Sequence, residues 1–194
     1  ADVYKRQAVQ ITANLTTKVS HLSLFQRTAQ WIFPLENPPF SEQEKDMFRN
    51  EPRAMDELHA SLTRLLADTF GQAVIGDEYE IRRIEERCRE NLEKNVHDPE
   101  LKAKLTPDYK AACKRLIIST GFYEAIQSPN AELVTEPILG VEMGGVRTKD
   151  GRLHEIDVLV LATGFNGHSF MRPMDIIGRG GAQLKDIWAE SARA

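Results

Sequence analysis

The sequence is poor in the residues from which several kinds of site are built. It holds only two cysteines, Cys88 and Cys113, and no C-x-x-C pair. A zinc ribbon and a dithiol redox motif are therefore excluded. Its five histidines, His21, His59, His97, His154 and His168, show no metal-ligand spacing and read as surface or core residues. Basic residues are not in excess, 25 against 29 acidic, so the net charge is −4. Binding to nucleic acid by phosphate neutralisation lacks its electrostatic footprint. Val158 to Ala162 with its flanks is the longest apolar run, far below the ~20 residues that cross a bilayer. No apolar leader segment opens the chain, so a reducing, cytoplasmic setting is expected. H-E-x-x-H, G-x-S-x-G and a complete phosphate-binding glycine loop are also missing.

What remains is an ordinary globular composition, 41% hydrophobic and 28% charged over 194 residues. Both ends read as cuts in a longer protein. The chain starts without Met, and Asp2–Gln7 reads like a translated sequencing adapter, so residues 1–7 are expected to be an artefact. At the other end the chain stops directly after an apparent helix with Leu184, Ile187 and Trp188.

Residues 8–33 read as helix then strand. Val9, Ile11, Leu15 and Val19 give a partial helical stripe, and Leu22, Leu24 and Phe25 a short apolar run. Such a pair is the second half of a βαβ unit. Residues 34–113 read as mostly helical. Ser41 and Glu44 form a capping box, and Pro52 divides the helical stretch. Met55, Leu58, Leu62, Leu65, Leu66 and Phe70 recur at helical spacing, as do Ile81, Ile84, Cys88 and Leu92. Cys88 reads as a small core residue. The charged run from Glu85 to Glu90 reads as a solvated face, because both signs alternate.

Beyond residue 113 the pattern favours sheet. Leu116–Ile118 is apolar, a short helix is expected at Phe122–Ile126, and a strand at Glu132–Thr135. Val141–Arg152 reads as a hairpin with an Asp150-Gly151 turn. Ile156–Ala162 is nearly continuously apolar, as expected of a strand buried on both faces. It runs into Thr163-Gly164-Phe165, where a small residue and a glycine permit close approach of a backbone or ligand. A plain strand-to-loop turn is the alternative there. Gly178-Arg179-Gly180-Gly181 reads as a surface turn.

Several segments, taken in order, resemble the flavin-dependent Baeyer–Villiger monooxygenases. Leu24-Phe25-Gln26-Arg27-Thr28-Ala29-Gln30-Trp31 is similar to that family's F-Q-R-[ST]-x-Q-[WY] segment. Leu105-Thr106-Pro107-Asp108-Tyr109 with Cys113-Lys114-Arg115 resembles its P-x-Y…K-R segment. Phe122-Tyr123, Pro129–Val134, Asp157–Phe165 and Ile177–Trp188 resemble later stretches, and Ala8-Val9-Gln10 the tail of a dinucleotide fingerprint. Asn166 departs from the acidic residue often found just after A-T-G-F.

The resemblance implies an α/β fold, a partial Rossmann-like NADPH domain with a helical insertion and the returning strand of an FAD domain. Residues 8–33 would begin the NADPH part, 34–113 form the insertion, 114–164 complete the NADPH domain, and 165–194 start the return. Implied cofactors are FAD and NADPH; implied substrates are O2 and a small ketone, converted through a C4a-peroxyflavin to an ester or lactone. Arg27 is implied as the catalytic cation, and Gln26, Arg27, Thr28, Thr163 and Gly164 as cofactor contacts, with no metal. Lys114 and Arg115 match a motif whose role, phosphate contact or interdomain salt bridge, stays open. The isolated chain is expected to be inactive. Two other functions fit the residues: an N- or S-oxygenating flavin monooxygenase, and a non-catalytic helical interaction module on residues 41–96.

Overall fold

A computed structural model describes residues 3–164 and 174–189. The chain divides into two compact units, residues 9–159 and residues 1–8 with 160–194. Helix α1 spans Val3–Leu15.

In the larger unit α1 leads into β1, Leu22–Phe25. The intervening turn is tied by Asn130, whose side-chain nitrogen donates to the carbonyls of Thr16 at 2.8 Å and Val19 at 2.9 Å. β2, Ile32–Phe33, follows at once. The chain then leaves the strands for a helical excursion and returns as β3, Ile117–Ile118, which pairs parallel with β2 in the register Ile32↔Ile117. A short helix over Phe122–Ile126 precedes β4, Ala131–Val134, which pairs parallel with β1 from Leu22↔Ala131 to Phe25↔Val134. Parallel pairing with helical crossovers is the α/β arrangement expected from the sequence.

The helical excursion contains α2, Glu42–Asn50, and α3, Pro52–Leu66, then a π-helical turn at Ala67–Gly71 and a single turn, α4, at Gln72–Val74. α5, Glu78–Asn95, and α6, Pro99–Leu105, complete it; the helix at Phe122–Ile126 is α7. The capping box is present. Ser41 Oγ accepts from the Glu44 N–H at 3.3 Å, and Glu44 Oε2 accepts from the Ser41 N–H at 2.7 Å. The Ser41 hydroxyl, donating to Glu44 Oε2 at 2.7 Å, and then the Ser41 N–H favour the ionised form and hold the Glu44 carboxyl below the usual range. Asp77 caps α5 in the same sense, accepting from the N–H groups of Tyr79 and Glu80.

The two helical stripes have different fates. Ile81, Ile84, Cys88 and Leu92 on α5 are all buried. Each buried Ile or Leu among them contributes ~1.5–3 kcal/mol of hydrophobic stabilisation. Leu92 joins Ile32, Val96, Leu105 and Ile117 in one core; Ile81, Ile84 and Cys88 join Trp31 and Ala111 in a second. Met55, Leu62, Leu65 and Leu66 on α3 stay exposed.

A three-stranded antiparallel sheet ends the larger unit: β5, Ile138–Glu142, β6, Gly145–Thr148, and β7, Leu153–Glu155. The Asp150-Gly151 turn joins β6 to β7, with Gly151 at φ +88. Asp150 Oδ1 accepts from Thr148 Oγ1 at 2.6 Å and from the Arg152 N–H at 3.1 Å. The neighbouring β5–β6 turn places Gly144 at φ +90. His154, on β7, is buried, while His21, His59 and His97 are exposed. His168 lies outside the described residues.

One expectation fails. Ile156–Ala162 forms no strand, and Val158 and Leu161 are 75% and 74% exposed. A strand buried on both faces needs a neighbour to pair with and layers on each side. Among the described residues no strand ladder forms along this run, although the Ile156 N–H donates to the Gly144 carbonyl at 3.1 Å. The remaining described part of the smaller unit is a tight turn. Ile177 bridges Gln183 across a 3-10 turn at Arg179–Gly181, and a short helix, α8, spans Leu184–Ile187.

Candidate functional site

The carboxyl end of β1 is where the parallel ladder opens. The Gln26 N–H donates to the Val134 carbonyl at 2.8 Å, one residue past the last paired position, and the chain then turns away. Arg27 comes next. It is exposed, in a run where Gln26, Thr28, Ala29, Gln30 and Trp31 are buried or half-buried. Among the described residues Arg27 makes no ion pair with a carboxylate. A permanently charged guanidinium at the carboxyl end of a parallel strand suits an anionic ligand.

The run is anchored by side chains. Gln26 Nε2 donates to the Lys104 carbonyl at 3.0 Å, and Gln30 Nε2 to the Thr28 carbonyl at 2.8 Å. Trp31 Nε1 donates to the Tyr109 carbonyl at 2.8 Å, and the Tyr109 hydroxyl bonds Gln30 Oε1 at 3.3 Å. The Trp31 and Tyr109 rings meet edge to face at 6.4 Å between centroids. Cations close the stack at both ends: Arg89 Cζ is 5.5 Å from the Trp31 ring centre, and Lys114 Nζ is 3.8 Å from that of Tyr109.

Glu85 fixes the loop before β3. Its Oε1 accepts from the Ala111 N–H at 3.0 Å, and its Oε2 pairs with Arg89 at 3.3 Å. Ala111 is fully buried, and Ala112 beside it takes φ +64, a left-handed conformation rarely adopted by a residue with a Cβ. Glu78 and Lys110 add an ion pair at 2.7 Å. It holds the Glu78 carboxyl below, and the Lys110 ammonium above, their ordinary ranges. Lys114 thus sits against Tyr109, and Arg115 is exposed two positions before β3.

A ring contact links β1 to the antiparallel sheet. The Phe25 ring meets that of His154 edge-on at 5.2 Å. Glu132 on β4 receives both terminal nitrogens of Arg152, a bidentate pair.

Gln26, Arg27 and Thr28 are therefore brought together on one anchored turn. Thr163 and Gly164 belong to the smaller unit, and Gly164 takes φ +88, a conformation that favours glycine there. Phe165 and Asn166 lie outside the described residues. Glu85 was hidden in a charged run that reads as a solvated face. Its signal was adjacency to the buried Ile84 and Cys88 stripe. Among the described residues no three His, Cys, Asp or Glu side chains gather to hold a metal ion. No helix among them is long and apolar enough to cross a membrane.

No family model matches the chain. An uncharacterised monooxygenase of Mycobacterium tuberculosis is 41% identical over 186 residues, covering 96% of this chain and 37% of that protein. A Baeyer–Villiger monooxygenase of Pseudomonas aeruginosa is 31% identical over 192 residues, covering 96% and 35%. The closed crystal structure of a cyclohexanone monooxygenase superposes with a TM-score of 0.77 at 26% identity, covering 96% of this chain and 42% of that one.

Nearly the whole chain is similar to one segment of proteins named as Baeyer–Villiger monooxygenases. It spans a little over a third of the length of the curated relatives it matches, 37% and 35% for the two above. A further neighbour, OTEMO in complex with FAD and NADP, superposes with a TM-score of 0.78 at 25% identity, covering 96% of this chain and 41% of that one. These similarities run through the β1 turn, the helical excursion and the loop before β3 alike.

Proposed function

We propose that this chain supplies the nicotinamide-nucleotide side of an FAD- and NADPH-dependent monooxygenase that inserts oxygen next to a ketone carbonyl. The observation that carries the reading is Arg27. It is an exposed cation immediately beyond the carboxyl end of a parallel strand, on a turn anchored on both sides.

Gln26, Arg27 and Thr28 would meet the NADPH nucleotide, and Thr163 with Gly164 a second cofactor segment. Such a turn fits a dinucleotide, because ligands of parallel sheets lie at strand carboxyl ends. A flavin, when bound and reduced by NADPH, would supply the O2 chemistry that turns a ketone into an ester or lactone. Arg27 keeps its charge at every working pH, so it can hold an anionic group or a developing oxyanion without exchanging a proton. Gln26 anchors the loop through Lys104 while flanking that cation.

The exposed apolar stripe of α3 favours a second reading, a helical interaction module on residues 41–96. Similarity to monooxygenases over 96% of the chain, this region included, supports the first.

The deciding experiment is ketone-dependent NADPH oxidation by the enzyme that carries this chain. Ester or lactone formed in step with NADPH consumed is expected. Oxidation stimulated by thioethers or amines and not by ketones would instead establish the heteroatom-oxygenating alternative. NADPH left untouched with either substrate class would leave the interaction module standing.

A further inference from the structure

Three side-chain bonds join residues 26–31 to residues 104–109 with nearly constant sequence separation. Gln26 reaches Lys104 and Trp31 reaches Tyr109, each 78 positions away; Gln30 meets Tyr109 at 79. The two stretches therefore lie side by side in the same direction. No strand ladder connects them, since pairing begins only at Ile32↔Ile117. Between these two stretches the bonds named are made by side chains, and Arg27 lies inside the tied stretch.

From this juxtaposition we infer that Trp31, with Gln30, positions Arg27 toward the nucleotide without touching the ligand. The inference rests on the proposed function above. Trp31 is 5% exposed, and its indole N–H is committed to the Tyr109 carbonyl. Its ring is engaged as well, meeting Tyr109 edge to face and carrying the Arg89 guanidinium over it. Gln30 closes the local turn on Thr28 and receives the Tyr109 hydroxyl. The clamp holds the backbone that carries Arg27, so that backbone need not be ordered when the ligand binds. A loosened clamp returns that ordering cost to the binding step.

The test is a double-mutant cycle on NADP+ affinity in the enzyme that carries this chain. Its variants are Arg27→Ala, Trp31→Phe and the two combined. Arg27→Ala is expected to weaken NADP+ about tenfold or more, and Trp31→Phe about three- to tenfold. If Trp31 acts through Arg27, Trp31→Phe adds nothing once Arg27 is gone. Additive losses would overturn the positioning role while leaving the nucleotide site intact. An unchanged affinity in Arg27→Ala alone would overturn the site, and the positioning role with it. Gln30→Leu guards against misfolding at the buried Trp31. It removes two bonds of the same clamp from a half-buried position and should show the same non-additivity.

Discussion

Trp31 donates its indole N–H to the carbonyl of Tyr109 across 78 positions of sequence. That bond ties the turn after β1 to the loop before β3, and the strands these segments flank then pair in parallel. Replacing the donor leaves a part-buried carbonyl without this partner, at a typical cost of about 1–3 kcal/mol. The excursion through α2–α6 is therefore closed at its base by side chains before it is closed by sheet.

Removing the cation at the turn should be felt in catalysis. Arg27→Ala is expected to lower kcat/KM for NADPH by roughly 10²–10³, by analogy with loss of an oxyanion-hole donor. Arg27→Lys keeps the charge but not the planar fork, and should recover part of the loss. Steady-state rates with NADPH varied at fixed ketone check both; an unchanged kcat/KM in Arg27→Ala would remove Arg27 from the site.

The isolated 194-residue chain should bind FAD at well below one equivalent. No G-x-G-x-x-G sequence occurs in it, and a dinucleotide pyrophosphate normally rests on the helix that follows such a turn. Flavin absorbance retained through gel filtration measures this, and stoichiometric yellow protein would refute it.

The two cysteines should differ sharply toward an alkylating reagent. Cys113 is exposed; Cys88 is 2% exposed, and burial, aided by the nearby Glu85 carboxylate, pushes its thiol up to about 12. At pH 8 one equivalent should react in the native chain and two after denaturation. Above pH 9 the unfolded chain would lose the Cys88 proton while the folded chain keeps it. Stability from this residue is thus complete below pH 9 and drains away as pH rises toward 12. Denaturant titrations between pH 8 and 11 should show a shallower alkaline decline for Cys88→Ala.

Gly145 has no room for a side chain. A Cβ there would collide with the backbone carbonyl of His154 on the paired strand. Gly145→Ala must displace β6 from β7 and should lower the melting temperature, with faster amide exchange over residues 145–155. Gly144, one residue earlier, would meet nothing within 4 Å, so Gly144→Ala acts only through its φ of +90.

Ser41→Ala should cost α2 about 1 kcal/mol by removing its cap. No residue of α2 is buried, so the loss should stay local. Amide exchange in residues 42–50 should accelerate while the melting temperature barely moves.

Much of this was legible in the residues. The capping box, the buried stripe of α5, the helix at Phe122–Ile126 and the Asp150-Gly151 turn are all local signals, and each formed where expected. Periodicity could not tell which stripe would be covered, because α3 and α5 have the same spacing and only α5 meets a partner layer. The two-residue strands β2 and β3 are too short to leave a pattern. For the site, resemblance picked out Gln26, Arg27 and Thr28. The anchors at Trp31, Tyr109 and Glu85 depend on contacts between distant segments, which spacing does not encode.

The exposed run Val158–Leu161 has a practical consequence. It is rich in β-branched and aliphatic residues, lacks proline, and carries a flanking charge at Asp157. Segments of that kind recruit one another into intermolecular ladders when they meet in solution. Samples of this chain should precipitate as concentration rises, and Val160→Lys should raise the soluble ceiling.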